Sequence, residues 1–284
     1  MEESSSLVRS ISDTALWAAL HRARETDRED ALFRDPLARR LAGPRGEEIA
    51  ASLAFPKEDA WTWAARTYLF DRFIDESVRA GADMVVNLAA GLDARPYRMP
   101  LPSSLRWVEI DMPDLIAYKE NIIGGEKPAC LLERIRLDLS DVAARRRLFR
   151  QLGAGAKNAL ILSEGFVAYL DRDEAAALAR DLAEQDGFRR WVLDLMSPGL
   201  VRMLRKKTDA HLERAGAPIK FGPEEGPGFF SPHGWKPADA RSLLKTAARL
   251  KRLSWGMRLL SLLPESKGVQ GSRPWAAVCL LDKR

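Results

Sequence analysis

Cysteine occurs twice and histidine three times in these 284 residues, and each scarcity excludes something. Cys130 and Cys279 both sit in apolar, strand-like stretches, and neither belongs to a CxxC pair or a Cys/His cluster. That rules out a disulfide-built scaffold and predicts buried free thiols in a reducing compartment. His21, His211 and His233 lack ligand spacing, so no zinc site is expected. No apolar run reaches the roughly 18 residues that would span a bilayer. The opening MEESSSLVRS lacks the apolar core of a signal peptide. The expectation is a cytoplasmic protein with no membrane partner.

Charge is present but not concentrated. Net charge is +5, with 30% charged and 46% hydrophobic residues, an ordinary globular balance. The densest basic run, Arg145-Arg146-Arg147, reads as a solvated helix face, so no nucleic-acid partner is expected. The oligomeric state is not legible.

Periodicity divides the chain. Helical spacing predicts helices over 13–25, with Ser12 or Asp13 as cap, over 36–41 behind Asp35-Pro36, and over 61–81, which Gly81 ends. Strands then alternate with helices. Strands are expected at 84–89, 105–111, 131–139, 158–165 and 188–196, with helices from Pro113, from Asp141 and over 173–186. This is the pattern of a doubly wound α/β sheet, mostly parallel and covered on both faces. After a helix at 200–214 comes GAPIKFGPEEGPGFFSPHGW, a stretch suited to a lid or binding loop. A helix over 237–248, a strand at 250–255 and a strand at 274–283 are expected to complete the sheet with an antiparallel end. The organisation expected is an N-terminal helical cap (1–83), an α/β core (84–196), a lid insertion (197–236) and a C-terminal completion (237–284), all in one domain.

The chemistry is positional. The strand at 84–89 runs into Ala89-Ala90-Gly91, and Glu109 and Asp111 follow 18 and 20 residues after Gly91. In such a fold an acid ending the second strand can accept both ribose hydroxyls of a nucleotide-like cofactor. Asp138 and Glu164 lie at the next two strand ends. Each acid also has a plain reading as a helix cap or a loop ion pair. Asp93, just past the turn, is expected to repel a phosphate, so a cofactor with a sulfonium and an amino group suits this acid-lined pocket better than NAD.

These segments together resemble the leucine carboxyl methyltransferase family, in its bacterial branch of S-adenosylmethionine-dependent O-methyltransferases that includes polyketide O-methyltransferases. The resemblance rests on DTALWAALHRARE, RDPLAR, the Arg66 helix, NLAAGLDARPYR, VEIDMPDLIAYK, Asp138-Leu139 and LSEGFVAYL, in that order, over about 12–196. It implies a class I methyltransferase-like, Rossmann-like fold and S-adenosyl-L-methionine as cofactor. Arg66 would pair with the methionine carboxylate, Gly91 would lie under the cofactor and Asp111 would hold the ribose. Asp138 and Leu139 would face the adenine, and Glu164 the methionyl end. Tyr169 is similar to a tyrosine near the pocket. Ala89 stands where the family has glycine, which an alanine outside the positive-φ region would tolerate.

The implied reaction is O-methylation of a carboxylate or hydroxyl on a small molecule. Trp61, Trp63, Phe229, Phe230 and Trp235 are candidates for an apolar acceptor pocket or for plain core. No general base stands out: His21 has no assigned role, and His233 lies in the expected lid. Two other readings stay open, a catalytically inactive cofactor-binding or interaction protein and a NAD-dependent oxidoreductase.

Overall fold

A computed structural model of the chain describes residues 11–52, 60–212, 218–265 and 270–284. His211 has no described side chain, and those of Ser12 and Asp13, both within the first helix, also lie outside the described residues. Three helices come first: α1 (Ile11–Thr26), α2 (Ala38–Ser52), kinked at Gly43, and α3 (Ala60–Arg79). The second runs well past the expected end near Leu41. The alternating core follows as β1 (Met84–Leu88), α4 (Arg95–Arg98), β2 (Arg106–Asp111), α5 (Pro113–Ile123) and β3 (Leu131–Arg136). It continues with α6 (Val142–Ala154), β4 (Ala159–Ser163), α7 (Arg172–Ala183), β5 (Phe188–Met196) and α8 (Pro198–Leu212). The chain closes with β6 (Trp235–Ser242), α9 (Leu243–Arg249), α10 (Trp255–Leu260) and β7 (Ala276–Lys283).

The strands form one sheet in the order β3-β2-β1-β4-β5-β7-β6, parallel except where β7 pairs with β5 and β6. Winding goes outward one way from β1 and the other way from β4. The carboxyl ends of β1 and β4 therefore part at a topological switch point, where such sheets bind ligands. Period-two alternation sends Met84, Val86 and Leu88 into one core with α6 and α7, and Val85 into the other with α3 and α9. A third cluster holds α1, α2 and α5 together around Leu20, Leu41 and Leu92.

The C-terminal part differs from expectation. Residues 237–248 are not one helix, because 235–242 is an edge strand whose burial alternates residue by residue. Pro237 is tolerated there, since an edge strand leaves one row of N–H groups unused. The strand expected at 250–255 is a turn leading into α10. Cys130 and Cys279 are buried free thiols as expected, and burial raises both above the usual thiol range.

The basic run is not a solvated face throughout. Arg145 is buried, donating from Nε to Asp181 at 3.0 Å and from Nη1 to the Leu139 carbonyl at 2.9 Å. Half-exposed Arg146 donates to the other oxygen of Asp181, which is itself fully buried. Asp181→Ala leaves the Arg145 charge buried and unpaired, and should cost about 3–5 kcal/mol. Arg146→Ala, at a half-exposed side chain screened by solvent, should cost far less. Urea unfolding of the two variants checks the contrast.

Candidate active site

The turn after β1 is built on two left-handed residues. Gly91 has φ +53°, and Ala89 has φ +50°, so alanine occupies the one backbone region where glycine matters. The condition for tolerating alanine, a backbone outside the positive-φ region, is not met, and the Cβ adds roughly 1–2 kcal/mol of local strain. Gly91 N–H donates to Asp111 Oδ2 at 2.6 Å and Met112 N–H to Oδ1 at 2.7 Å. Burial pushes the Asp111 carboxyl up, and those two amides oppose the push. A side chain at Gly91 would meet Ala15 of α1 at 3.5 Å, so α1 roofs the turn. The roof is tied down by Arg22, which donates to the Leu92 carbonyl at 2.6 Å.

Beneath it runs a continuous ion network. Arg22 pairs with Asp35 (2.9 Å), which also faces Arg98 (3.8 Å). Arg98 pairs with Asp71 (2.7 Å), and Asp71 with Arg95 (2.6 Å). Arg95 reaches both Asp93 (3.0 Å) and Glu164 (2.8 Å). Glu164 in turn takes Arg66 (3.1 Å), whose Nη1 lies 3.3 Å from Asp194. Four arginines against five carboxylates leave one formal negative charge. Asp194 also accepts the Gly165 N–H at 2.7 Å. Burial raises Asp194, against the pull of Arg66.

Asp93 points inward, where Asn87 Nδ2 and Arg95 both donate to it. Burial alone would raise its carboxyl, but Arg95, Lys119, Arg22 and Arg98 hold it well below the usual range. The expected repulsion of a phosphate by Asp93 therefore does not stand. What disfavours a phosphate is that the Gly91 amide is already given to Asp111.

An aromatic stack flanks Arg66. Its guanidinium lies 4.5 Å over Trp63, and His21 of α1 stacks on Trp63 at 5.0 Å and 3°. Both ring nitrogens of His21 are buried without a hydrogen-bond partner among the described residues. Burial, with Arg24 and Arg66 nearby, pushes His21 down to about 3, so the ring is neutral. Tyr169 interacts with Thr14 of α1 and lies near Arg66.

The structure thus brings Arg66, Gly91, Asp111, Glu164 and Tyr169 to the carboxyl ends of β1, β2, β4 and β5 beneath α1. Asp138 follows β3, exposed, accepting from Ser140 N–H, and Leu139 beside it is buried. Glu109 is sequestered with Lys119 and Arg134, each at 2.9 Å. Three aromatics proposed for the acceptor pocket lie elsewhere. Phe230 and Trp235 are fully buried against Trp191, with Trp235 Nε1 donating to the Ala179 carbonyl. Phe229 packs on Phe221 and under Arg172. The 3₁₀ segment Gly226–His233 folds over the sheet with Phe230 in the core, while Gly228, Phe229, Pro232 and His233 line a pocket against Arg172 and Arg180 of α7. Trp61 packs in the α3–α9 core. His233 is close to Arg180 and Phe229. Sequence reasoning missed Asp71, Arg95, Arg98 and Asp194 as site partners. An acid inside the apolar run of β5 was the available signal for the last.

Residues 15–183, more than half of the chain, match the leucine carboxyl methyltransferase family. The chain belongs to that family. A Streptomyces coelicolor relative, provisionally named an S-adenosyl-L-methionine-dependent methyltransferase, is 29% identical over 272 residues, 91% of this chain and 92% of its own. A similarly named Streptomyces avermitilis protein is 30% identical over 254 residues, 84% of this chain and 87% of its own. With other relatives the match spans only about half of their length. The crystal structure of a DUF574 family protein from S. avermitilis aligns with TM-score 0.60 at 13% identity, covering 94% of this chain and 97% of that one. This shows a shared fold.

Ala89→Gly removes a strained Cβ while loosening the unfolded chain, so it should be neutral or stabilising by up to about 1 kcal/mol. Ala90→Gly, which relieves no positive φ, should destabilise, and thermal melts of the two separate the cases. For His21, the fold favours the neutral ring while the unfolded chain takes a proton below 6.5. Its contribution is therefore fully present above that pH and lost as pH falls toward about 3, at up to about 1.4 kcal/mol per unit. His21→Phe should flatten that part of the profile in urea unfolding followed from neutral to acid pH.

Proposed function

We propose that this protein, an S-adenosylmethionine-dependent methyltransferase, methylates an oxygen of a small molecule, and that the oxygen belongs to a carboxylate. The observation that carries the cofactor placement is the ion network at the switch point, with its single excess negative charge. S-adenosylmethionine carries a sulfonium, an ammonium and a carboxylate, a net charge of +1 that complements it. The residues present fit the group. Arg66 hydrogen-bonds through Nε and Nη1, leaving further guanidinium donors for a ligand carboxylate. Each oxygen of Asp111 accepts one backbone amide and has a second lone pair for a ribose hydroxyl. Glu164 and Asp194 present carboxylates to an ammonium, while Asp138 and Leu139 stand at the neighbouring strand end for the adenine.

When bound, the cofactor supplies an electrophilic methyl on sulfur. The protein's part is to align an acceptor and keep water out. Helix α1 gives the roof, and its Trp17 and His21 pack with Trp63 of α3 into an apolar side beside Arg66. His21 is a poor place to leave a proton, because burial and two arginines disfavour its charged form. Tyr169, raised by burial, is equally reluctant to ionise. An acceptor that arrives ionised suits such a site, which favours a carboxylate over a hydroxyl. A dinucleotide finds no free amide at Gly91, which weighs against an oxidoreductase.

Calorimetric titration with S-adenosylmethionine and, separately, with NAD tests the reading. One-to-one binding of the first alone is expected. Arg66→Ala and Asp111→Ala should each weaken it about ten- to hundredfold, the worth of a charge-assisted hydrogen bond. Unchanged affinity in both variants would falsify the placement. With an acceptor acid in hand, the methylation rate should rise with ionisation of the acceptor and show no further inflection near neutral pH.

A further inference from the structure

One surface has no place in the cofactor site. α10 and the turn after it expose Trp255, Leu259, Leu260, Leu262 and Leu263 at 78%, 51%, 51%, 79% and 57%, most of the large exposed hydrophobics among the described residues. The segment is anchored from below, where Leu253 is buried and Met257 packs on the α3–α9 core. Its inner side is therefore satisfied, and the outer apolar side is surplus to folding. A contiguous patch of this kind marks an interaction site.

Charge indicates the partner. From Arg241 to Pro264 the chain holds Arg241, Lys245, Arg249, Lys251, Arg252 and Arg258 and no acid. Arg241 is spent on Glu76 and Asp239, and Arg252 on Glu25 and Asp30. Arg249, Lys251 and Arg258 are exposed and form no ion pair among the described residues. A second copy of the chain fits poorly. The five side chains expose on the order of 500 Å², against about 800 Å² per partner in a stable complex. Self-pairing would also bring Lys251 and Arg258 against their own kind. Apolar side chains with an exposed tryptophan, flanked by unpaired bases, are the composition of an interfacial membrane anchor.

We propose that this face docks on the surface of an anionic lipid bilayer. Trp255 and the four leucines enter the headgroup–acyl boundary, and Arg249, Lys251 and Arg258 lie among the phosphates. No helix among the described residues is long and apolar enough to cross a membrane, so the contact is peripheral. This replaces the expectation of no membrane partner, which rested on the lack of a spanning run. The proposal stands independently of the methyl acceptor.

The test is co-sedimentation of the full chain with phosphatidylcholine vesicles and with vesicles made anionic by phosphatidylglycerol. Binding is expected to the anionic vesicles and to weaken as salt rises. Two surface variants, W255S/L262S and K251E/R258E, should each lose about tenfold or more in vesicle affinity. Their melting temperature and S-adenosylmethionine binding should stay unchanged. Wild-type protein that stays with the supernatant, or variants that bind as wild type does, would overturn the proposal. So would a concentration-dependent dimer in sedimentation velocity that W255S/L262S dissolves, since the patch would then be a self-interface.

Discussion

A chain of ion pairs from Arg22 to Asp194 links elements spread over all three apolar clusters. It joins α1, the segment before α2, α3, α4, the loop after β4, and β5. Removing two charges from water is expensive, and only good geometry with further hydrogen bonds makes such pairs tolerable. Here each arginine divides its donors among two or more acceptors. Arg95 alone serves Asp71, Asp93 and Glu164. Such a network does little for stability by itself, but it holds the helical cap in register with the strand ends. The apolar contacts of α1 with α2 and α5 supply the adhesion, and the ion pairs supply the placement.

That division explains the character of the site. The strand ends offer rigid backbone and one acid, Asp111, pinned by two amides. Helix α3 offers a cation, Arg66, sandwiched between Trp63 and two carboxylates. Gly165 has φ +65°, and a Cβ there would lie 3.4 Å from the Arg66 guanidinium. The left-handed turn that swings Glu164 toward Arg66 therefore also clears room for it. Ala89 departs from this economy: a strained alanine sits beside Gly91 where glycine would be free. The turn keeps its shape because β1 is buried along its whole length and leaves the chain no alternative path.

How far this was legible in one dimension depends on burial. β1, β2, β4 and β5 showed as apolar runs because the sheet is covered on both faces there, whereas β3 is an edge strand with no fully buried residue, and the helix starts at Asp141 and Pro113 carried their own signals. Arg66, Gly91, Asp111 and Glu164 were found by strand-end position and by resemblance, and the fold gathers them. Asp71, Arg95 and Arg98 look like ordinary helix surface in sequence. Arg95 lies over Phe70 of α3 and Arg98 over Phe33 of the segment before α2, contacts that no local pattern reports. Phe230 and Trp235 were open to a pocket or a core reading in sequence, and in the fold both are fully buried. The Gly/Pro-rich stretch suggested a loop over a cavity, and its 3₁₀ turns bring Phe229 and Phe230 edge to face at the core. β6 was missed because an edge strand carries polar alternation and admits a proline.

The same charge accounting connects the two ends of the molecule. The chain is +5 in all, and the buried network holds −1, so the remainder carries +6. Acids drawn into the switch point to hold α1 and a cationic ligand are acids withheld from the surface. The run from Arg241 to Pro264, with six bases and no acid, shows that shortage locally. Two of those bases are satisfied by Glu25 on α1, Asp30 in the loop after it and Glu76 on α3, which fixes α9 and α10 against the helical cap. The unpaired bases then stand beside exposed tryptophan and leucine. A patch with that charge and that apolar content is stable in water only as long as nothing anionic and apolar is near, and a bilayer surface is both.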